Sequence, residues 1–203
     1  MRIITGIAKG TRLKTPKGLD VRPTADRVKE SMFSILANLT LPADRQALSG
    51  AKVLDLFAGT GNLGLEALSR GAAFALFIDH SPISLAVTEQ NISNARLGDL
   101  AKVQRGDSVK ALDKLAQSGQ TFTLIFVDPP YNQGLVHTIL LKLDTSSVMA
   151  EGGLVVVEHS KHELLNTQWQ NLQLIRTERY GETFVTFFMR SISETNMMST
   201  GGS

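Results

Sequence analysis

The run Asp-Pro-Pro-Tyr at residues 128–131 is the part of this chain whose residue types and order best suit chemistry. It follows an apolar stretch, and two consecutive prolines remove two N–H donors, so a strand must stop there. The Asp128 carboxylate and the Pro129 carbonyl can accept both N–H bonds of an exocyclic amine on a nucleobase, which localises the nitrogen lone pair and aims it at an electrophile. Pro130 completes the turn, and Tyr131 offers a face on which a base can stack.

A glycine-rich turn lies upstream, in Asp55-Leu-Phe57-Ala-Gly59-Thr-Gly61-Asn-Leu-Gly64. Glycines at a strand-to-helix turn let the backbone approach a ligand closely, although this spacing alone is also typical of dinucleotide sites. Asp55 favours a cationic ligand, because an anion at this point repels pyrophosphate and attracts an ammonium or a sulfonium by roughly 4 kcal/mol at about 4 Å. We therefore expect S-adenosylmethionine here, with Phe57, Gly59 and Gly61 beside it.

Two further aspartates close the next two predicted strands. Asp79 lies 20 residues beyond Gly59, where a carboxylate can accept the hydroxyl groups of an adenosine ribose. Asp107 can contact the adenine or cap the following helix, and the sequence leaves both roles open. Ligands of a doubly wound sheet bind beyond the carboxyl ends of its strands, so we expect these aspartates near one crevice.

The elements that must position these residues alternate between apolar strands and amphipathic helices from residue 51 onward. This alternation predicts an α/β fold with a mostly parallel sheet covered by helices on both faces. Two later β-rich stretches, 170–178 and 183–190, are expected to pair as a hairpin at one end of the sheet. The predicted strands are 52–58, 73–79, 101–106, 122–128 and 153–158, and the predicted helices are 62–70, 82–97, 108–117 and 133–143.

The first 50 residues carry most of the positive charge. Residues 2–14 predict a short β-hairpin around Lys9-Gly10, and Thr24 is expected to cap a helix of about four turns, before a linker between Leu41-Pro42 and Ser49-Gly50. Residues 1–30 have a net charge of +5, whereas the rest of the chain has −3. Such a segment suits binding to RNA phosphates, but a solvated hairpin would look the same. The candidate phosphate contacts of this arm are Arg2, Lys9, Arg12 and Lys14.

Composition excludes several classes of protein. The chain has 203 residues and no cysteine, which rules out disulfide frameworks, thiolate nucleophiles and cysteine-bound zinc. The start lacks the apolar core of a signal peptide, and no window approaches the roughly 18 apolar residues of a membrane span. We expect a cytoplasmic, monomeric protein. We also expect no bound metal, because His159 and His162 lack further convergent ligands. The expected organisation is a basic arm over 1–23, a catalytic domain over 24–192 and a disordered tail over 193–203.

The segments DLFAGTGNLGLEALSRGA and VDPPY, with the strand end at Asp79, resemble the S-adenosylmethionine-dependent amino-methyltransferases. RIITGIAKGTRL, RPTADRVKESMFSIL and RYGETFV are similar to one branch, the bacterial RsmD-type 16S rRNA guanine-N2 methyltransferases. The resemblance covers nearly the whole chain. It implies a seven-stranded Rossmann-like class I methyltransferase fold, S-adenosylmethionine as methyl donor, and methylation of a flipped guanine of the guanine 966 type in 16S rRNA or an assembling 30S subunit.

The same resemblance implies that Arg22, Thr24 and Arg27 border the donor and substrate cleft. Lys29 and Ser31 stand where relatives often have arginine and alanine, which is a mild departure, and the tail after Ile192 matches no family segment.

Three other functions compete with this interpretation. An adenine-N6 DNA or RNA methyltransferase uses the same Asp-Pro-Pro-aromatic chemistry, but only about 50 residues precede the first predicted strand, which leaves no room for a DNA-reading domain. A nicotinamide-dependent oxidoreductase leaves residues 128–131 unexplained. A non-catalytic RNA-binding module would not need Asp128 and Tyr131.

Overall fold

The structure is a computed structural model that describes residues 1–16, 23–131 and 133–193. The helices are α1 (Pro23–Asn38), α2 (Asn62–Ser69), α3 (Pro82–Ala95), α4 (Ser108–Gln117) and α5 (Leu135–Thr145). The strands are β1 (Thr40–Leu41), β2 (Arg45–Gln46), β3 (Lys52–Asp55), β4 (Phe74–Asp79), β5 (Ala101–Arg105), β6 (Phe122–Val127), β7 (Met149–Ser160), β8 (Leu172–Tyr180) and β9 (Thr183–Arg190).

Seven strands form one sheet in the order β5-β4-β3-β6-β7-β9-β8. The strands from β5 to β7 pair in parallel, whereas β9 runs antiparallel to both β7 and β8. This confirms the predicted α/β class and the hairpin at one end of the sheet. The chain order reverses between β3 and β6, and a crevice at such a reversal is where doubly wound sheets bind ligands.

Helices cover both faces of the sheet because the central strands are apolar on both sides. One face packs against α1 and α2, where the rings of Phe33 and Phe126 lie 5.6 Å apart between centroids. The other face packs against α4 and α5, through residues such as Leu112 and Leu140. Successive residues of β6 point alternately into these two cores, so residues two apart at the end of the strand point to the same face of the sheet.

The N-terminal hairpin is present but contains only one bridge pair, Arg2 with Arg12. Its Ile3 and Leu13 side chains are buried in the core that contains α1. The Glu66 carboxylate of α2 accepts hydrogen bonds from the backbone N–H groups of Ile4 and Thr5, at 2.8 and 3.1 Å. The arm is therefore packed onto the sheet domain along much of its length.

The structure corrects two predictions in the first 50 residues. Helix α1 begins at Pro23, so Thr24 lies in its first turn and is not the predicted cap. Proline suits this position because its ring fixes φ and its missing N–H needs no partner there. The predicted linker contains a two-residue antiparallel pair, in which Thr40 pairs with Gln46.

Strand β7 begins four residues earlier than predicted. Gly152 takes φ +63°, and the pairing of β6 with β7 shifts register near this point, which lets the strand continue through a glycine-rich irregularity. Apart from Ser193, the predicted tail lies outside the described residues. Among the described helices, none combines the length and apolar character that a membrane crossing requires.

Candidate active site

A pocket of about 360 Å³ opens at the carboxyl ends of β3 and β6, where the strand order reverses. Its volume lies in the range of small-molecule sites. The predicted residues Asp55, Phe57, Gly59 and Asp128 all line it. Residues from the N-terminal arm complete one wall, namely Met1, Thr15 and Pro16.

Three carboxylates from adjacent strands enter this pocket, those of Asp55, Asp128 and Glu158. Asp55 pairs with Phe126, and Val127 pairs with Val157, so Asp128 and Glu158 occupy neighbouring positions just past that pair. Side chains two residues apart share a sheet face, which places all three on the face that α1 covers. Adjacent strands are about 4.8 Å apart, so Asp128 and Glu158 lie side by side at the mouth of the sheet. Asp55 lies on the neighbouring strand two residues, or about 6.6 Å, further back, so the three carboxylates form a bent row.

Burial makes this row of carboxylates hard to ionise. Burial raises the pKa of Asp55 to about 7, and the charge of Asp79 adds to it, while a 3.0 Å hydrogen bond from the Gly64 N–H acts in the opposite direction. The pKa of Asp128 is raised well above its usual range by burial and by the charges of Glu158 and Asp55. A ligand that brings positive charge or N–H donors would relieve both effects, because each favours the ionised carboxylate.

The glycine turn forms the floor of the pocket. Gly59 and Gly61 have φ angles of +54° and +78°, in the left-handed region that favours glycine. The turn is held from behind, because Thr88 donates to the Gly59 carbonyl at 2.8 Å and Asn91 donates to the Thr60 carbonyl at 2.9 Å. Gly61 precedes α2, is buried and lies outside the described pocket lining, so its contact with the donor stays a prediction.

Asp79 is positioned to fix this turn. Its Oδ2 accepts the Gly59 N–H at 2.8 Å, and its Oδ1 accepts the Ser81 N–H at 2.8 Å. Gly59 belongs to the described pocket lining, whereas Asp79 lies outside it and is connected to it by its hydrogen bond to Gly59. A carboxylate has about four lone-pair sites, so these two hydrogen bonds leave acceptor capacity, and the ribose contact stays a prediction.

Asp107 caps α4, where its Oδ1 accepts the Lys110 N–H at 2.9 Å. It is exposed and lies outside the described pocket lining. The structure therefore supports the capping role, and the adenine contact stays a prediction.

Tyr131 lies at the edge of the site with 37% of its surface exposed. Its hydroxyl donates to Oε1 of Glu158 at 2.6 Å and lies 3.3 Å from Oγ1 of Thr183. Burial and the Glu158 carboxylate raise the pKa of this phenol, so the hydroxyl stays protonated and keeps donating. Between Asp128 and Tyr131, Pro129 is buried and Pro130 is exposed.

Two charged residues of the site were not predicted for it, Glu158 and Lys29. The Lys29 side chain is 1% exposed, and its ammonium donates to the Arg2 carbonyl and to Oδ1 of Asn62, both at 2.7 Å. It also lies 3.4 Å from a carboxylate oxygen of Glu66. Burial lowers the pKa of Lys29, and the charge of Glu66 opposes that shift. Lys29 thus joins the arm, α1 and α2 at the pocket wall; its sequence signal is a cation on the apolar side of a helix.

The described basic residues that are predicted to contact RNA do not belong to the pocket lining. Arg2, Lys9, Arg12 and Lys14 are all exposed on the arm, and Arg27 is exposed on α1. Arg22 and the side chain of Thr24 lie outside the described residues. Within the described part of the chain, no cluster of three or more histidine or acidic side chains is arranged to hold a metal ion.

Comparison with known proteins places this geometry in a family. The family model "Conserved hypothetical protein 95" matches residues 1–189. The chain is 35% identical over 190 residues to "Putative rRNA methyltransferase YlbH" of Bacillus subtilis, covering 94% of this chain and 99% of the relative. It is also 35% identical over 194 residues to "Ribosomal RNA small subunit methyltransferase D" of Escherichia coli, covering 94% and 90%.

A solved structure agrees with these relatives. "Putative methyltransferase yhhF from Escherichia coli" has a TM-score of 0.81 and 34% identity, over 95% of this chain and 99% of that one. The fold is thus the Rossmann-like fold of the class I methyltransferases. The chain belongs to the RsmD-like family that the model "Conserved hypothetical protein 95" describes.

Proposed function

We propose that this protein transfers a methyl group from S-adenosylmethionine to the exocyclic N2 amine of a guanine in 16S rRNA. The observation that carries the proposal is the position of Asp128: its carboxylate lies at the end of β6 in the pocket that Asp55 and the glycine turn also line. A methyl donor and an amine acceptor can therefore meet in one cavity.

The donor half of the pocket fits a cationic ligand. S-adenosylmethionine supplies an electrophilic methyl group when bound, and its ammonium and sulfonium complement the carboxylate row. Asp55 is the best placed counter-ion, because it is 1% exposed and its pKa of about 7 falls when a cation approaches. Gly59 brings backbone close to the ligand, and Phe57 adds an apolar wall.

The acceptor half holds an amine and restrains it. The Asp128 carboxylate and the Pro129 carbonyl accept the two N–H bonds of the amine, which turns its lone pair toward the donor side. A base amine becomes strongly acidic once it is alkylated, so its proton passes to Asp128 or to water without a separate strong base. Tyr131 lies beside this point with an exposed ring face for the extruded base.

The proposal that the substrate is RNA is supported by the charge of the arm and by family membership. Four cations of the arm are exposed, and two of them, Arg2 and Lys14, directly neighbour the wall residues Met1 and Thr15 in the sequence. Exposed cations can follow phosphates on either side of a flipped nucleotide. The Escherichia coli relative is named as a small-subunit rRNA methyltransferase, which supports the small subunit as the source of the substrate. Extrusion of the base costs a few kcal/mol, and least in a loop.

A methylation assay on small subunits tests the proposal. Unmethylated 30S subunits and naked 16S rRNA are incubated with the protein and labelled S-adenosylmethionine, and the modified nucleoside is mapped by mass spectrometry. We expect N2-methylguanosine, with activity lost in Asp128→Ala and retained in Asp113→Ala, which changes an exposed aspartate of α4. N6-methyladenosine would favour the adenine alternative, and no incorporation in either substrate would contradict the proposal.

A further inference from the structure

Glu158 is a charged residue of the pocket to which methyl transfer itself assigns no role. It is half-buried, it lines the same cavity as Asp128, and it occupies the neighbouring position on the adjacent strand. Two carboxylates at such a spacing repel each other when both are ionised. A pair of this kind costs stability unless a ligand supplies donors to both.

The two oxygens of Glu158 have different surroundings. Oε1 accepts the Tyr131 hydroxyl at 2.6 Å, which fixes the carboxylate at the end of β7. Among the described residues, no protein group donates to Oε2. A half-buried carboxylate oxygen without a protein donor is an acceptor held ready for a ligand N–H.

Guanine and adenine differ at the ring position next to the amine. In guanine the N1–H donor lies directly beside the N2 amine, so the edge presents three N–H bonds in a row. In adenine the atom beside the N6 amine is N1, which carries a lone pair and accepts hydrogen bonds. The row of Asp128 and Glu158 consists of acceptors that are about one strand spacing apart, which matches the edge of guanine.

We propose that Glu158 selects guanine, by accepting the N1–H through Oε2 while Asp128 and the Pro129 carbonyl hold the N2 amine. The inference deepens the proposed function and rests on it. Adenine in the same pose would place its N1 lone pair against the Glu158 carboxylate, which is electrostatically unfavourable. Glu158 is thus a specificity residue as well as the partner of Tyr131.

A substrate analogue removes the N1–H and keeps the reacting amine. 2-Aminopurine keeps the N2 amine but has a lone pair at N1 and a hydrogen in place of O6. Once the modified nucleotide is mapped, 16S rRNA with guanine or 2-aminopurine at that position is made by splinted ligation and assembled into small subunits. We expect the wild-type protein to methylate the guanine substrate with a kcat/KM about 100-fold higher than that of the 2-aminopurine substrate.

Glu158→Gln tests whether this preference depends on the carboxylate. The amide can turn its NH₂ toward the N1 of 2-aminopurine, so the preference should shrink to about 10-fold or less while guanine methylation falls. If Glu158 only holds Tyr131 in place, Glu158→Gln and Tyr131→Phe would slow both substrates by the same factor. Glu89→Gln, an exposed change on α3, should keep the full preference.

The outcomes separate the two proposals. Methylation of guanine with an equal rate on 2-aminopurine, or an unchanged preference in Glu158→Gln, would overturn the role of Glu158 and leave the proposed function intact. Failure of the wild-type protein to methylate guanine in the small subunit would contradict the proposed function itself. An equal wild-type rate on both bases refutes the role of Glu158 whatever the variant does. A preference for guanine supports it only if Glu158→Gln reduces that preference, because 2-aminopurine also lacks O6.

Discussion

Replacing Asp55 by asparagine should stabilise the ligand-free protein, by an amount that depends on pH. Burial raises the pKa of Asp55 from an ordinary value of 3.8 to about 7. Between these values the native state keeps its proton while the unfolded chain has lost it, so the free energy of unfolding falls as pH rises. The slope is about 1.4 kcal/mol per pH unit for one proton, and it ends once the native group ionises near pH 7.

The stabilisation in Asp55→Asn should therefore grow by about 3 kcal/mol between pH 5 and pH 8, because about two pH units of this window lie below the native pKa of about 7. Asparagine does not titrate, so the pH-dependent destabilisation that Asp55 causes in the wild-type protein is absent from the variant. Urea unfolding at several pH values, without ligand, measures the difference. The exposed Asp113→Asn should show no such growth.

The same substitution should weaken donor binding even as it stabilises the fold. A cationic donor favours the ionised carboxylate, so wild-type affinity should rise with pH through about 7 and the pH dependence should flatten in Asp55→Asn. Calorimetric titration with S-adenosylmethionine tests this. A stability difference that stays constant from pH 5 to pH 8, or a donor affinity that is unaffected in Asp55→Asn, would refute the role given to this carboxylate.

Three further predictions concern the surroundings of the pocket. Asp79→Ala should reduce donor affinity by about 10-fold or more, because the Gly59 N–H loses its acceptor; unchanged affinity by calorimetry would contradict this. Lys29→Ala should cost about 1.5 to 3 kcal/mol of unfolding free energy, since Glu66 loses one of its two cationic partners and keeps Arg70, while Lys29→Arg should recover part of it; a loss no larger than in the exposed Lys110→Ala would count against the buried pair. Neutralising the four exposed cations of the arm should reduce the slope of log affinity for RNA against log salt concentration by about 3, and an unchanged slope would show that the arm does not contact RNA phosphates. These cations are Arg2, Lys9, Arg12 and Lys14.

The fold was largely predictable because its signals are local. Apolar strands buried on both faces alternate with amphipathic helices, and this pattern requires a parallel sheet with helices on both sides. The prediction failed where the local signal was ambiguous. Thr24 is a good cap residue, but the proline before it is equally suited to start a helix, and the pair β1 and β2 is too short to show a period of two.

The site was predictable where one segment carries its chemistry. Asp55 and Gly59 lie in one turn, and Asp128 lies in another, so their roles follow from residue order and from the strand ends. Glu158 and Lys29 reach the pocket only through tertiary contacts. Glu158 needs the register of β6 against β7, and Lys29 needs the arm folded back onto α1 and α2. Neither fact is encoded in a short motif.

The role of Asp128 in holding the amine is tested by the activity of Asp128→Ala at saturating donor. We expect methyl transfer to the small subunit to fall by at least about 1,000-fold in a single-turnover assay, while the dissociation constant for S-adenosylmethionine changes by less than about 10-fold. Full methyl transfer by this variant, or loss of donor binding in place of loss of transfer, would contradict the claim that Asp128 holds the amine that receives the methyl group.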